Sequence, residues 1–275
     1  MDFENEFLRK NPKRGNVLRF MREAIGKDRV EFEDLTAVNL TRVRDHICES
    51  VTGNSACTYL AVIKATLSPF ASDGVLPCKN PHDLLKAKHV PSQHIALTEE
   101  EVAKLDAYEP WSETEQNVKI LFMRGCYTGA RSSDCKRFTP DIIRGDHIAY
   151  VSQKTKTEVI QPLHHALVKY LYMQPTYIPC PSVLNKTIQR ICEYLGFDEE
   201  VTLFVGGKLQ KGPKWRFVTS HTARRSLVSN LALRNVPIAV ISKIVGHSNV
   251  ATTSRYLCLD AKNIGSEAMA FFSGN

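Results

Sequence analysis

Four short polar segments between residues 126 and 256 constrain this chain most strongly, because they lie at or beside junctions between predicted elements. The first reads Cys-Tyr-Thr-Gly-Ala-Arg-Ser-Ser-Asp and ends at Asp134. In it, Gly129 allows a sharp turn and Arg131 opens a helix. Asp134 follows Arg131 by about one helical turn, so we expect its carboxylate to hold the Arg131 guanidinium in place.

The other three segments are a His-x-x-Arg pair, a Gly-His-Ser turn and a tyrosine. His221 and Arg224 stand three residues apart, so their side chains share one face of a predicted helix. His247 lies in the turn after Gly246, and Tyr256 stands nine residues beyond His247 on a further helix. We expect these polar groups, far apart in the chain, to meet around one site.

Outside these segments the sequence predicts a mainly α-helical fold. Apolar residues recur at helical spacing over residues 17–25, 35–47 and 57–70. Thr98 and Glu101 form a capping box at the start of another helix. The last third of the chain is helical as well.

Two short β elements interrupt the helices, so we predict a small antiparallel β-sheet. Residues 146–153 and 158–163 alternate between apolar and polar side chains and indicate a β-hairpin with a basic, polar tip. A second strand pair is predicted at residues 201–205 and 215–219. The fold class is therefore mainly α with a small antiparallel sheet.

A proline-broken, basic stretch over residues 77–93 predicts a linker between two domains. We expect a helical domain at residues 1–92 and a mixed α+β domain at residues 93–275. A chain of 275 residues is long enough for both.

The charge balance allows an anionic partner such as nucleic acid without requiring one. There are 36 Lys and Arg residues against 29 Asp and Glu residues, which gives a formal net charge of +7. The eight cysteines lack zinc-ribbon or redox spacing and indicate a reduced compartment. We find neither a signal-peptide pattern nor an apolar run of the ~20 residues that a membrane span needs, so a cytoplasmic location is predicted.

In this order and spacing, the four segments resemble the motif set of the tyrosine recombinase and phage integrase family. Thr-Gly-Ala-Arg-Ser-Ser-Asp resembles its first arginine box, His-Thr-Ala-Arg its His-x-x-Arg box, and Gly-His-Ser its glycine-histidine turn. Tyr256 stands at the distance expected of the nucleophile. The resemblance runs from about Leu97 to the C-terminus, and residues 1–92 are similar to the core DNA-binding domain in length and pattern.

The resemblance implies site-specific DNA recombination through a 3′-phosphotyrosyl intermediate on Tyr256. Arg131 and Arg224 would bind the scissile phosphate, because each guanidinium presents a planar fork and stays charged. His221 would be the general base. The natural role would be integration, excision or inversion of a mobile element in a bacterium or phage.

Two further catalytic roles follow from the resemblance. Lys154, in the Gln-Lys-Thr run of the hairpin, matches the catalytic lysine and would protonate the departing 5′ oxygen. Lys156 lies two residues away and is the alternative. His247 would donate a hydrogen bond to a phosphate oxygen. Because protein side chains supply every charge that the reaction needs, we expect catalysis without a metal ion, ATP or another cofactor.

The predicted partner is double-stranded DNA, bound by a homotetramer on paired sites. Four basic residues near Trp215 are candidate DNA contacts, namely Lys208, Lys211, Lys214 and Arg216. The equal alternative is that these residues lie on a solvated loop without such a role. Residues 264–272 carry apolar side chains, and we expect this tail to pack on its own core or, as the resemblance implies, to dock on a neighbouring protomer. The alternatives in function are DNA relaxation like that of type IB topoisomerases and a non-catalytic DNA-binding relative.

Overall fold

The computed structural model describes residues 2–71, 74–90, 92–247 and 249–258. It divides into two compact units. The first comprises Met1–Ser92 with Phe204–Gln210, and the second comprises Gln93–Leu203 with Lys211–Asn275. Ser248 and the apolar tail at residues 264–272 lie outside the described residues, so the predicted docking of the tail stays a prediction.

The first unit is helical, as its apolar spacing predicts. Its helices are α1 (Phe3–Lys10), α2 (Gly15–Ile25), α3 (Ala37–Ser50), α4 (Gly53–Ala71) and α5 (Pro81–Leu84). Their apolar faces meet in one core, in which residues such as Phe3, Leu40 and Ile63 are fully buried. Thr36 starts α3 by accepting a hydrogen bond from the Asn39 amide at 3.3 Å.

The second unit combines eight described helices with short strands. The helices are α6 (Glu99–Ala107), α7 (Glu113–Thr128), α8 (Ser132–Cys135), α9 (Leu167–Tyr172), α10 (Pro181–Tyr194), α11 (Ser220–Leu233), α12 (Ile238–Ile244) and α13 (Val250–Ser254). The capping box predicted at Thr98 and Glu101 is present at the start of α6. Helix α7 is buried along most of its length and packs against α9, α10 and α11. It is the central support of this unit.

The predicted β-hairpin is confirmed. Strands β1 (Ile143–Arg144), β2 (His147–Val151) and β3 (Glu158–Pro162) form an antiparallel sheet in that order. Val151 pairs with Glu158, so residues 152–157 form the tip.

The second strand pair is placed differently from the prediction. Strand β4 (Glu200–Val205) pairs with β5 (Lys208–Pro213), while Lys214–Phe217 forms a 3-10 turn. The prediction of a strand at 215–219 was therefore wrong. Gly206 and Gly207 have φ values of 60° and 88°, which permits a tight turn directly after β4. No helix in the described parts of the chain combines the length and the apolar character needed to cross a membrane.

Candidate active site

The turn that carries Arg131 depends on a glycine. Gly129 ends α7 with φ +61°, and its amide donates to the Gly125 carbonyl at 2.8 Å. A Cβ atom at Gly129 would lie 2.8 Å from Cγ1 of Val245, so both conformation and space require glycine here. The chain then turns, and Arg131 becomes the N-cap residue of α8.

Asp134 supports Arg131 indirectly, which corrects the predicted ion pair. Arg131 Nη1 donates to Ser152 Oγ at 3.1 Å, and Ser152 Oγ donates to Asp134 Oδ2 at 3.3 Å. Asp134 Oδ1 also accepts from the Gln153 amide at 2.8 Å. Because Arg131 has extended N-cap geometry, its side chain does not align with Asp134 along one helix face. The Asp134 carboxylate therefore connects Arg131 to the base of the hairpin tip through hydrogen bonds. Ser152 is a site residue that the sequence did not predict.

Arg224 links the ends of two helices. Its side chain is buried, at 1% exposure, and its guanidinium donates to the carbonyls of Gly129 and, at 2.8 Å, Val245. Burial, together with the nearby charge of Arg131, lowers the pKa of Arg224. Its Nε is buried and has no hydrogen-bond partner in the described part of the chain. The Nε–H group is therefore a donor that no described residue uses.

Tyr256 lies against two guanidinium groups. The centre of its ring is 5.4 Å from Cζ of Arg224 and 5.2 Å from Cζ of Arg225. The ring of His247 lies 5.0 Å away, centre to centre. The predicted nucleophile is thus gathered with Arg224 and His247. Arg225 was missed in the sequence, where only its position next to the His-x-x-Arg pair marked it.

His221 stands at the start of α11 with part of its surface open to solvent. Neighbouring atoms that shield the imidazole from water lower the pKa of His221. Four cations lower it further, namely Arg225, Arg224, Arg131 and Lys154. The ring is therefore neutral near pH 7, as a proton acceptor must be.

His247 is held by the turn at Gly246. Gly246 has φ +65°, and a Cβ atom there would lie 2.5 Å from Cγ2 of Val159 on β3. Burial, with the charges of Arg224 and Arg131, lowers the pKa of His247 to about 4. Its Nε2 is buried without a hydrogen-bond partner in the described part of the chain.

Lys154 lies at the exposed hairpin tip. Its charge is one of those that lower the pKa of His221, so it belongs to the same electrostatic cluster. Lys156 has a positive φ of 56° in the same tip. The choice between the two lysines and the role of Lys154 as the acid stay predictions.

The candidate DNA contacts divide into three kinds. Lys214 is buried, and its ammonium lies 2.7 Å from Glu101 and 3.9 Å from Glu199, which makes it a structural ion pair. The prediction for Lys214 was therefore wrong, because its ammonium is already satisfied by carboxylates. Lys211 is exposed and pairs with Glu200 at 2.7 Å. Lys208 and Arg216 are exposed, and they stay candidates.

A second buried arginine, Arg124, stabilises the segment that carries Arg131. Arg124 on α7 is fully buried and donates to the carbonyls of Tyr170, Cys135 and Met173, at 2.8, 2.9 and 2.8 Å. These carbonyls lie at the ends of α8 and α9, where helices leave acceptors without partners. Burial lowers the pKa of Arg124. The guanidinium therefore fixes α8, which Arg131 begins.

We expect Arg124→Met to lower the free energy of unfolding by about 3 kcal/mol, measured by urea denaturation. Three buried carbonyls lose their donors, at roughly 1–3 kcal/mol each, and the loss is offset in part because no charge is buried any longer. Arg124→Lys should recover little, since one ammonium does not span three carbonyls. An unchanged unfolding midpoint in Arg124→Met would contradict this account.

Comparisons with known proteins give one family match and several structural matches. The sequence model of the phage integrase family matches residues 182–263, which include His221, Arg224, His247 and Tyr256. Residues 182–263 are thus similar to the phage integrase family. The comparison with curated proteins gives no match.

Solved structures show that the chain has the tyrosine recombinase fold. A lambda integrase dimer bound to a COC′ core site is 13% identical with a TM-score of 0.64, covering 94% of this chain and 95% of that one. XerH recombinase bound to a palindromic difH substrate is 14% identical with a TM-score of 0.63, covering 93% and 76%. The Tn1549 transposon integrase in complex with a circular intermediate DNA is 14% identical with a TM-score of 0.59, covering 100% and 99%.

Proposed function

We propose that this protein is a site-specific DNA recombinase that cuts and rejoins DNA through Tyr256. The observation that carries the proposal is the contact of the Tyr256 ring with Arg224, a buried guanidinium whose Nε has no hydrogen-bond partner in the described part of the chain. A nucleophile beside a cation with a free donor suits attack on a phosphodiester. The family match over residues 182–263 supports the same reaction.

In the proposed cleavage, the phenolic oxygen of Tyr256 forms a bond to phosphorus while the bond from phosphorus to the 5′ oxygen breaks. The phenol proton passes to His221, which is neutral near pH 7 because its pKa is lowered. Lys154 protonates the departing oxygen. Arg131 and Arg224 balance the negative charge that spreads over the non-bridging oxygens. The 5′-hydroxyl of a second strand reverses these steps and rejoins the DNA.

Access to Arg224 requires a movement within the site. Its side chain is only 1% exposed, and the Tyr256 ring is one of the groups against it. We therefore propose that the ring shifts when DNA arrives, so that the phosphate reaches the guanidinium. Asp134 and Ser152 keep Arg131 in place during this step through the hydrogen bonds described above.

The proposal extends to the assembly. We propose that the protein acts in the cytoplasm on double-stranded DNA as a homotetramer on paired sites, in integration, excision or inversion of a mobile element. A lambda integrase tetramer bound to a Holliday junction, 14% identical with a TM-score of 0.65, is the structural precedent. Exchange of the apolar tail between protomers stays part of this proposal.

Covalent trapping tests the function without knowledge of the target sequence. The full chain is incubated with a pool of randomised duplexes, each nicked so that cleavage releases a short end and cannot reverse. We expect a protein–DNA adduct that survives detergent, with the DNA on the peptide that contains Tyr256 by mass spectrometry. No adduct, or DNA on another peptide, would contradict the proposal. Transfer of the bound strand to a second duplex separates recombination from relaxation of a single duplex.

A further inference from the structure

The side chains of His247, Thr253 and Ser242 form a series of hydrogen bonds that closes at the backbone carbonyl of His247. His247 Nδ1 lies 2.9 Å from Thr253 Oγ1, and Thr253 Oγ1 lies 3.0 Å from Ser242 Oγ. Ser242 Oγ in turn lies 3.3 Å from the backbone carbonyl of His247. Thr253 is fully buried and Ser242 is 4% exposed, so bulk water does not compete for these bonds.

Counting hydrogens assigns the direction of each bond. A carbonyl oxygen only accepts, so Ser242 donates its one hydroxyl hydrogen to the His247 carbonyl. Thr253 must then be the donor to Ser242, which uses the one hydroxyl hydrogen of Thr253. Thr253 Oγ1 can therefore only accept a hydrogen bond from His247, through a lone pair. His247 Nδ1 therefore carries a hydrogen and donates it to Thr253.

A neutral imidazole has one hydrogen only, so Nε2 is left as a bare acceptor. We propose that Ser242 and Thr253 are positioning residues that hold His247 with its hydrogen on Nδ1, so that Nε2 must take up a proton before His247 donates a hydrogen bond to phosphate. This inference rests on the proposed function and adds a protonation step before the donor role predicted for His247. The proton comes from the solvent and adds to the Nε2 lone pair, which turns the neutral ring into an imidazolium.

The surroundings explain why the proton is absent without DNA. Among the described residues, the charged and titratable groups that act on or contact the ring are Arg224 on α11, Arg131 before α8, and Tyr256 after α13. Burial and the two guanidinium charges keep the pKa of His247 at about 4. A phosphate between the guanidinium groups offsets their charge and favours the imidazolium. Phosphate binding and protonation of His247 therefore support each other.

The first test reads the hydrogen position directly in the DNA-free full chain. The protein is labelled with nitrogen-15 in histidine, and His247 is assigned by comparison with His247→Gln. At neutral pH we expect Nδ1 to show the shift of a protonated nitrogen and Nε2 that of an unprotonated one. The opposite assignment would mean that Thr253 donates its hydroxyl hydrogen to Nδ1 of His247 instead of to Ser242, and it would overturn the proposal.

A pair of threonine variants separates this role from a general effect on folding. Thr253→Val keeps the side-chain shape and removes the acceptor, so we expect His247 to become a mixture of both hydrogen positions. Thr252→Val is the matched control, because Thr252 neighbours Thr253 in the same helix and makes no contact with His247 among the described hydrogen bonds. If the tautomer of His247 in Thr253→Val matches that of the wild type, the positioning role is wrong.

The second test follows proton uptake with sulfate, which stands in for the phosphodiester and does not titrate near neutral pH. At saturation, judged by the amide shifts of residues 129–131, we expect the pKa of His247 to rise by about 1 or more. Absence of saturable binding, or saturation without this rise, would overturn the coupling. Neither test needs cleavage, so a missing covalent adduct alongside the expected tautomer would count against the proposed function and leave the tautomer intact.

Discussion

Tyr256→Phe should abolish the covalent DNA adduct, with a loss on the order of 10⁴-fold or more, as for removal of other enzymic nucleophiles. The substitution deletes only the phenolic oxygen. The ring contacts with Arg224, Arg225 and His247 remain, so the fold and non-covalent DNA binding should change little. Adduct formation is measured by denaturing electrophoresis on the nicked duplex pool, and binding is measured on the same pool by fluorescence anisotropy.

The matched control is Tyr194→Phe. Tyr194 is 61% exposed on α10, and its ring packs on Trp111 and Tyr108, away from the cluster around Tyr256. Its variant should form the adduct at the wild-type rate. An adduct that persists in Tyr256→Phe would place the nucleophile elsewhere and would remove the basis of the proposed mechanism.

Arg224→Lys should slow covalent cleavage by about 10²–10³-fold or more, the usual effect of removing one donor aimed at developing charge. Lysine keeps the charge and loses the planar fork. In the wild type, this fork reaches the carbonyls of Gly129 and Val245 while Nε stays free. An ammonium does not satisfy both carbonyls and a phosphate oxygen from the same position, so we also expect a lower free energy of unfolding, by about 1–3 kcal/mol.

Arg234→Lys is the matched control for Arg224→Lys, since it makes the same substitution at the end of the same helix. Arg234 is exposed and pairs with Glu99 at 2.6 Å, an interaction worth under about 1 kcal/mol at the surface. Cleavage by this variant should match the wild type, as measured by single-turnover adduct formation. Equal rates for Arg224→Lys and Arg234→Lys would show that Arg224 serves the fold alone.

Much of the fold could be predicted because its signals are local. The apolar spacing of residues 17–25 places α2, alternation over residues 146–163 places the hairpin, and the Thr98–Glu101 pair starts α6. The error at β5 has a local cause too. The chain turns back directly at Gly206 and Gly207, and the polar residues that follow resemble a loop because β5 is largely exposed.

The contacts of the candidate site were less predictable than its residues. Motif order predicted that Arg131, Arg224, His247 and Tyr256 lie together, and the structure places the Tyr256 ring against Arg224 and His247. Motif order did not reveal that Asp134 acts on Arg131 through Ser152. Arg131 is an N-cap residue and departs from helical geometry, and Ser152 on the hairpin provides the connecting hydrogen bonds. Nor did motif order distinguish Lys214 from its basic neighbours, since its partner Glu101 lies far away in the sequence.

The sequence by itself determined which residue types stand at the junctions and where glycine permits a turn. Those residue types indicated the class of reaction that we propose. Only the tertiary structure decided which polar atoms form hydrogen bonds with each other and which have no partner among the described residues. Spacing reports which residues share a helix face, whereas the proton on His247 depends on Ser242 and Thr253, brought together by the packing of α12 on α13. Hydrogen-bond direction is a property of that packed cluster, so no single segment encodes it.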